Sequence, residues 1–347
     1  GKGVENNLAK VTLNYNETTY SRSEFVANQS GGGDLQQLIF FKTNKFSLES
    51  SEVITTNVRD INKYVLKLNT VDQQTDPILI YIYVTHLKSS QGSSNQNLRL
   101  DMVSEFTADL ESLDPSSFVI FAGDFNLYTS SEPAYQKLLD NTNAITMVDP
   151  IDTPGSWHDN DTYQDIHTQS TRINSGPFGA GAGGGLDDRF DFITISENMT
   201  SNPKMKYIPD SYKSFGNNGN CFNLDISDES CLGEFNQQLR NNLFSMSDHL
   251  PVVMQLETDK EFILNSSDFS FIEDIIIDNT LVNDILNITF QNQNASDLSI
   301  IIYNTLGQKI KEYNNSNDHY IQLNVSNLSS GLYYLKFNNS IHKFVKK

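Results

Sequence analysis

The sequence predicts an α+β body, two sheets packed face to face with helices outside, followed by a small all-β domain. Three observations predict it. Apolar runs of strand length recur from residue 11 to residue 257. Helical stripes lie between them, which places helices against sheets. After Glu257 the helical stripes stop, and short strands alternate with turn signals. The expected division is a body over 1–257, a linker over 258–268 and a β-sandwich over 269–347.

The elements follow in order. Gln37–Phe41 and Tyr64–Leu68 are strand candidates, and Pro77–Val84 is apolar on both faces, as expected of a central strand. Asn97–Leu113 reads as a helix, with Leu98, Met102, Val103, Phe106, Leu110 and Leu113 on one stripe. Phe118–Ala122 is a second buried strand. Thr129–Pro133 supplies capping residues and an early proline for a helix start. Residues 153–188 read as a long irregular segment ending in a glycine-rich tract. Phe190–Ile195 is a strand, Leu232–Phe244 a helix carrying Phe235, Leu239 and Leu243, and Pro251–Leu256 a last strand. Beyond the linker, strands at 285–290, 298–303, 320–323 and 332–337 are separated by turns at Leu306-Gly307 and Ser330-Gly331.

Composition bounds the partners. The chain has 347 residues, a formal net charge of −19 and a pI of about 4.6. That excludes a basic surface that wraps nucleic acid by counterion release, though a metal and a few cations in one groove can offset the field locally. Cys221 and Cys231 are the only cysteines. They are too few for a four-thiolate zinc site; a disulfide fits an exported chain, two free thiols an internal one. No run is long enough to span a membrane. No signal peptide is visible after Gly1, so the chain is expected either to stay in the cytosol or to begin after a removed segment.

Four segments carry chemistry: Thr85-His86-Leu87, Gly123-Asp124-Phe125-Asn126, Asp188-Arg189-Phe190-Asp191 and Ser247-Asp248-His249-Leu250-Pro251. Each sits at one end of an apolar run. If the last two strands run antiparallel to the first two, all four meet at one sheet edge. Carboxylates hold a hard divalent cation, one histidine activates water while another protonates a leaving oxygen, and an amide contacts phosphate without adding charge. That inventory suits cleavage of a phosphate ester.

These segments resemble the motifs of the exonuclease–endonuclease–phosphatase superfamily, which includes pancreatic-type deoxyribonucleases, over about residues 10–257. The resemblance implies a four-layer αββα sandwich and metal-dependent phosphoesterase activity. It implies that His249 is the general base, oriented by Asp124 and the metal. It further implies that Asn126 contacts the scissile phosphate, that His86 pairs with Asp191 as general acid, and that Asp248 and Asp124 lie at the metal. The family's first strand asparagine and second strand glutamate have no counterpart: Glu5 and Glu17 follow no apolar strand. The first strands of the domain are therefore expected to be missing.

Other features weigh less. Gly179, Gly181 and Gly184 match a dinucleotide-binding spacing, but no strand precedes them and no helix follows, so a loop beside the site is expected. Asp159, Asp161 and Asp165 hint at a calcium loop that Gln164 and Ser170 disqualify. Arg172 is a candidate phosphate contact or a structural loop arginine; Arg99 reads as structural. Residues 284–347, with Tyr303-Asn304-Thr305-Leu306-Gly307 and Ser330-Gly331-Leu332-Tyr333-Tyr334, resemble a type IX secretion sorting domain. That resemblance implies export across the outer membrane by the type IX machinery; a small carbohydrate- or surface-binding module is the rival. The expected protein is a secreted monomeric phosphodiesterase using Mg²⁺ or Mn²⁺, with Ca²⁺ the remaining candidate, acting as an endonuclease on extracellular nucleic acid. Alternatives are an esterase for lipid headgroups or small phosphate esters, and a non-catalytic surface protein that keeps the fold.

Overall fold

The computed structural model describes residues 19–31, 37–176, 181–263, 275–277, 279–290, 298–315, 320–337 and 340–347. Glu5, Glu17, Gly179 and the end of the expected linker lie outside them. The chain divides into two compact units, Gly1–Ile263 and Leu264–Lys347.

In the first unit, β1 (Tyr20–Arg22) pairs with β2 (Phe40–Lys42). A six-stranded sheet follows, built from β3 (Phe46–Ile54), β4 (Ile61–Leu68), β5 (Leu79–His86), β6 (Phe118–Asp124), β7 (Met147–Val148) and β8 (Asp191–Ser196), in the order β3-β4-β5-β6-β8-β7. β5 and β6 run parallel, joined by helix α1 (Ser93–Asp109), and β8 returns antiparallel to β6. β3 was not expected: its Ser and Glu residues break the apolar signal, as suits an edge strand.

One face of this sheet is an aromatic column. Tyr83 on β5 meets Phe106 of α1 edge-on at 4.9 Å, Phe106 stacks on Phe121 at 4.1 Å, and Phe125 stacks on Phe192 at 5.0 Å. The predicted stripe of α1 supplies this layer, with Met102, Val103, Phe106 and Leu110 buried. The short helix α2 (Pro133–Leu138), with its proline in the first turn, covers the same side. The opposite face carries Ile80, Ile82, Ile120, Ile193 and Ile195. It packs against a thin second layer containing Met205, Tyr207, Val252 and Leu256. Among the described residues that layer is two short pairs, β9 (Lys206–Tyr207) with β12 (Leu256–Glu257) and β10 (Lys213–Ser214) with β11 (Val252–Val253). The expected strand 251–256 is thus interrupted at Met254-Gln255. Helix α3 (Gln237–Met246) starts later than the apolar stripe predicts, because the Asn236 side chain accepts from Leu239 N and caps it there.

The second unit is all β. One sheet orders β13 (Ile275–Ile277), β15 (Ile285–Phe290) and β18 (Tyr320–Asn324). The other orders β14 (Leu281–Val282), β20 (Ser340–Lys346), β19 (Gly331–Phe337), β16 (Leu298–Asn304) and β17 (Lys309–Asn315). Leu286, Ile288 and Leu323 of the first meet Ile300, Ile302, Leu335 and Phe344 of the second in one core. A mixed α/β body followed by an all-β unit is the predicted fold class.

Candidate active site

Strand register builds the site. His86 on β5 pairs across the ladder with Asp124 on β6, and Asp124 pairs with Asp191 on β8. Residues directly opposite each other share a face, so the three form one row at the end of three adjacent strands. By the alternation along each strand they lie on the Ile82–Ile120–Ile193 face, away from the aromatic column. Gly123 permits the close packing of β5 and β6 here: at φ 142° its position would put a Cβ 1.9 Å from the Thr85 carbonyl oxygen.

The last motif completes the row. His249 Nδ1 lies 2.7 Å from Asp191 Oδ2, and its Nε2 lies 3.9 Å from Asp124 Oδ2. His86 Nε2 lies 3.2 Å from the same Asp124 oxygen. The expected pairing of His86 with Asp191 is therefore not the one formed. β6 lies between β5 and β8, which separates His86 from Asp191 by two strand spacings, about 9.5 Å; Asp191 goes to His249 instead. Asn126 is buried at φ 49°, a left-handed position that asparagine tolerates. Its N–H donates to Asp124 Oδ1 at 3.0 Å and its side-chain amide to the Leu87 carbonyl at 3.3 Å.

The charges are crowded. Burial, and then the charge of Asp191, raise the Asp124 carboxyl above the usual carboxylate range. Burial alone would lower His249, but the hydrogen bond and charge of Asp191, with Asp124 and Asp248, raise it to about 9. Burial, then Arg59 and His249, lower His86 to about 4. Arg59 was missed in the sequence. Its Nη1 donates to the carbonyls of His86 at 3.1 Å and Leu87 at 2.8 Å, which sets a guanidinium beside the row.

Two further expected residues make contacts that the sequence does not announce. Arg172 is buried; its Nε donates to the Phe244 carbonyl at 2.7 Å and its guanidinium lies over the Phe244 ring, so it fastens α3 instead of presenting a free fork to phosphate. Asp248 Oδ2 accepts from Ala182 N at 2.6 Å, which ties the end of the glycine tract to the last motif. Arg99 is structural as expected, paired with Glu132 at 2.7 Å with both side chains fully buried.

The irregular segment before the glycine tract forms a wall of the site. Thr168 Oγ1 accepts from the backbone of Phe190 and of Asp191, both at 3.1 Å. The Gln169 amide nitrogen lies 2.5 Å from His249 Nε2. Nearby, His158 Nδ1 lies 2.7 Å from Asp188 Oδ1. His158, Asp187 and Asp188 are, among the described residues, the one group of three donor side chains whose ligand atoms all lie within 4.8 Å of one another. Burial, and then Asp187, raise the Asp188 carboxyl. Asp124 and Asp248, the expected metal ligands, are not in that group. Cys221 and Cys231 form a disulfide in the loop whose Leu224 carbonyl accepts from Leu186 N.

Comparison with known proteins gives the following. The chain is similar to the human Nocturnin catalytic domain at 12% identity, covering 74% of this chain and 76% of that one, with a TM-score of 0.40. It is similar to an endonuclease/exonuclease/phosphatase from Beutenbergia cavernae at 13% identity, covering 98% and 84%, with a TM-score of 0.37. It is similar to TDP2 of D. rerio, solved with a single-strand DNA product, at 14% identity, covering 74% and 82%, with a TM-score of 0.40. No curated protein matches the chain. At such distances, what the first unit does has to be read from its own residues. Among the described residues no helix is long and apolar enough to cross a membrane. Residues 282–347 match the family model described as a secretion system C-terminal sorting domain, and this tail directs the chain to export across the outer membrane.

Proposed function

We propose that the first unit is a phosphodiester hydrolase that works with a divalent cation on extracellular nucleic acid. The observation that carries the reading is the row His86–Asp124–Asp191 with His249 docked on Asp191. An imidazole whose Nδ1 is held by a carboxylate leaves Nε2 as the proton-accepting atom, the arrangement of a general base, and here the Gln169 amide occupies that atom until water takes its place. His249 takes the proton of the attacking water, and Asp191 orients the ring and stabilises the charge it acquires. His86, lowered to about 4, is neutral at neutral pH. It serves as an uncharged donor to a phosphate oxygen, a different role from the general acid expected of it. Asn126 and the Arg59 guanidinium lie on the same side for further phosphate contacts.

The donor set fits Mg²⁺ or Mn²⁺. Asp124 and Asp191 are neighbours in the ladder, and Asp124 is raised by burial and by that neighbour, a crowding that a hard cation relieves. Asp124 and Asp248 are the residues proposed to hold it, with Asn126 left to the phosphate. A bound ion would stabilise charge on the phosphoryl group and offset the carboxylates that raise His249, favouring the neutral ring that can accept a proton.

The net charge of −19 favours a second reading, a small phosphate ester as substrate, because a long polyanion is repelled by the surface as a whole. The test is hydrolysis of DNA, RNA, sphingomyelin and bis(nitrophenyl) phosphate by the full chain with Mg²⁺, beside His249→Ala. Cleavage of DNA or RNA lost in the variant supports the nuclease; cleavage of the small ester alone selects the second reading. Equal turnover by wild type and variant rejects both.

A further inference from the structure

His249 is carried on the turn into β11, and its Nδ1 is anchored on Asp191. A second anchor is in place. The Gln169 amide nitrogen lies 2.5 Å from Nε2, the other nitrogen of the same ring. We propose that Gln169 is a positioning residue for His249: its side-chain amide, donating N–H to the neutral ring or turning its oxygen to accept from the charged one, grips the Nε2 edge while Asp191 holds Nδ1, and fixes the ring before substrate binds. This rests on the reading of His249 as the base.

The backbone around Gln169 is built for that task. Its N–H donates to the Asp188 carbonyl at 3.0 Å, and its own carbonyl accepts from Asp187 N at 2.9 Å and Asp188 N at 2.8 Å. Its neighbours lock the strip to the last motif: Leu250 N donates to the Thr168 carbonyl at 2.8 Å, and Thr171 N to the Asp248 carbonyl at 3.0 Å. Thr168, one residue earlier, holds the backbone of Asp191. Consecutive residues of one strip therefore meet both members of the dyad, Thr168 at the backbone N–H of Asp191 and Gln169 at the imidazole of His249. Beneath them Asp188 is braced by His158. An amide suits the position chemically. It is uncharged, so it neither repels a phosphate nor competes for the cation, and it offers both a donor and an acceptor to whatever replaces it at Nε2. Two-point fixation of a catalytic group matters because small misplacements cost large factors in rate.

The test uses the full chain labelled with ¹⁵N, reading histidine ring nitrogens by NMR, with His249 identified by its loss in His249→Ala. Gln169→Met keeps the length of the side chain and removes the amide; Gln169→Leu is the second variant should the first not fold. The expected result is a shifted and broadened Nε2 signal for His249, with the other histidines unmoved. The kcat on bis(nitrophenyl) phosphate should fall about ten- to a hundredfold with KM within about twofold. An unmoved Nε2 signal overturns the proposal, and so does a shifted signal with unchanged kcat. If the wild-type chain cleaves no phosphoester while the signal still shifts in the variant, the hydrolase reading fails and the clamp stands, so the two failures are distinguishable.

Discussion

Asp124 concentrates the conflict at the residue scale. Its carboxylate is half-buried, faces two imidazoles, and is raised first by loss of solvent and then by Asp191. Asp124→Asn removes the charge and keeps the shape. We expect the metal-free variant to melt about 2–4 °C higher, the equivalent of about 1 kcal/mol in a domain of this size, while hydrolysis falls at least about a hundredfold. Calorimetry beside a turnover assay measures both, and a variant that melts lower would refute the crowding. Both shifts give the same sign with pH. A histidine raised to about 9 in the folded state contributes stability that is full below its unfolded pKa, near 6.5, and lost as pH rises through about 9. A carboxyl raised on folding likewise loses stability as pH rises through its folded value. The melting temperature of the metal-free protein should therefore fall from neutral pH to beyond about 9, and the upper part of that fall should vanish in His249→Ala. A flat profile in the wild type would contradict it.

At the scale of elements, α1 is tied to the site by a buried ion pair. Arg99 reaches Glu132 and donates to the carbonyls of Lys88 at 2.7 Å and Ser90 at 2.9 Å, linking the helix to the chain just past His86 and to the loop after Asn126. Arg99→Met alone should cost about 3–5 kcal/mol by denaturant titration, because it strands a buried carboxylate, and Arg99→Met with Glu132→Leu should recover most of it. An equal loss in both variants would show that the charge is not the cause. Elements were legible where apolar runs were long and their ends marked: β5, β6, β8 and the stripe of α1 all read directly. β3 was hidden by its polar alternation. The start of α3 was misplaced because Phe235 belongs to the stripe but precedes the cap. The same logic governs the site. His86, Asp124, Asp191 and His249 each stand beside an apolar run, which made them visible. Gln169 and Arg59 stand on segments without a period, and nothing local distinguishes them. Which histidine meets Asp191 depends on β6 lying between β5 and β8, a fact of strand order that no single segment contains.

At the scale of the whole molecule, each of the two units has its own core. We propose that they fold independently, and that a chain ending at residue 263 keeps full turnover in vitro but stays inside the producing cell. Fractionation and a turnover assay check this; lost turnover would show that the tail contributes to the catalytic unit. The register that aligns His86, Asp124 and Asp191 also bears on how this protein can change over generations. Because neighbours along a strand face opposite ways, losing one codon from the middle of β6 would turn Asp124 toward the aromatic column and strand both histidines at once. The described irregular residues between β7 and β8 are under no such parity rule except where residues 168–171 touch the motifs. Length variation among descendants of this chain should therefore collect among those residues and stay out of the three strands, so that substrate preference can drift while the row that does the chemistry is inherited intact.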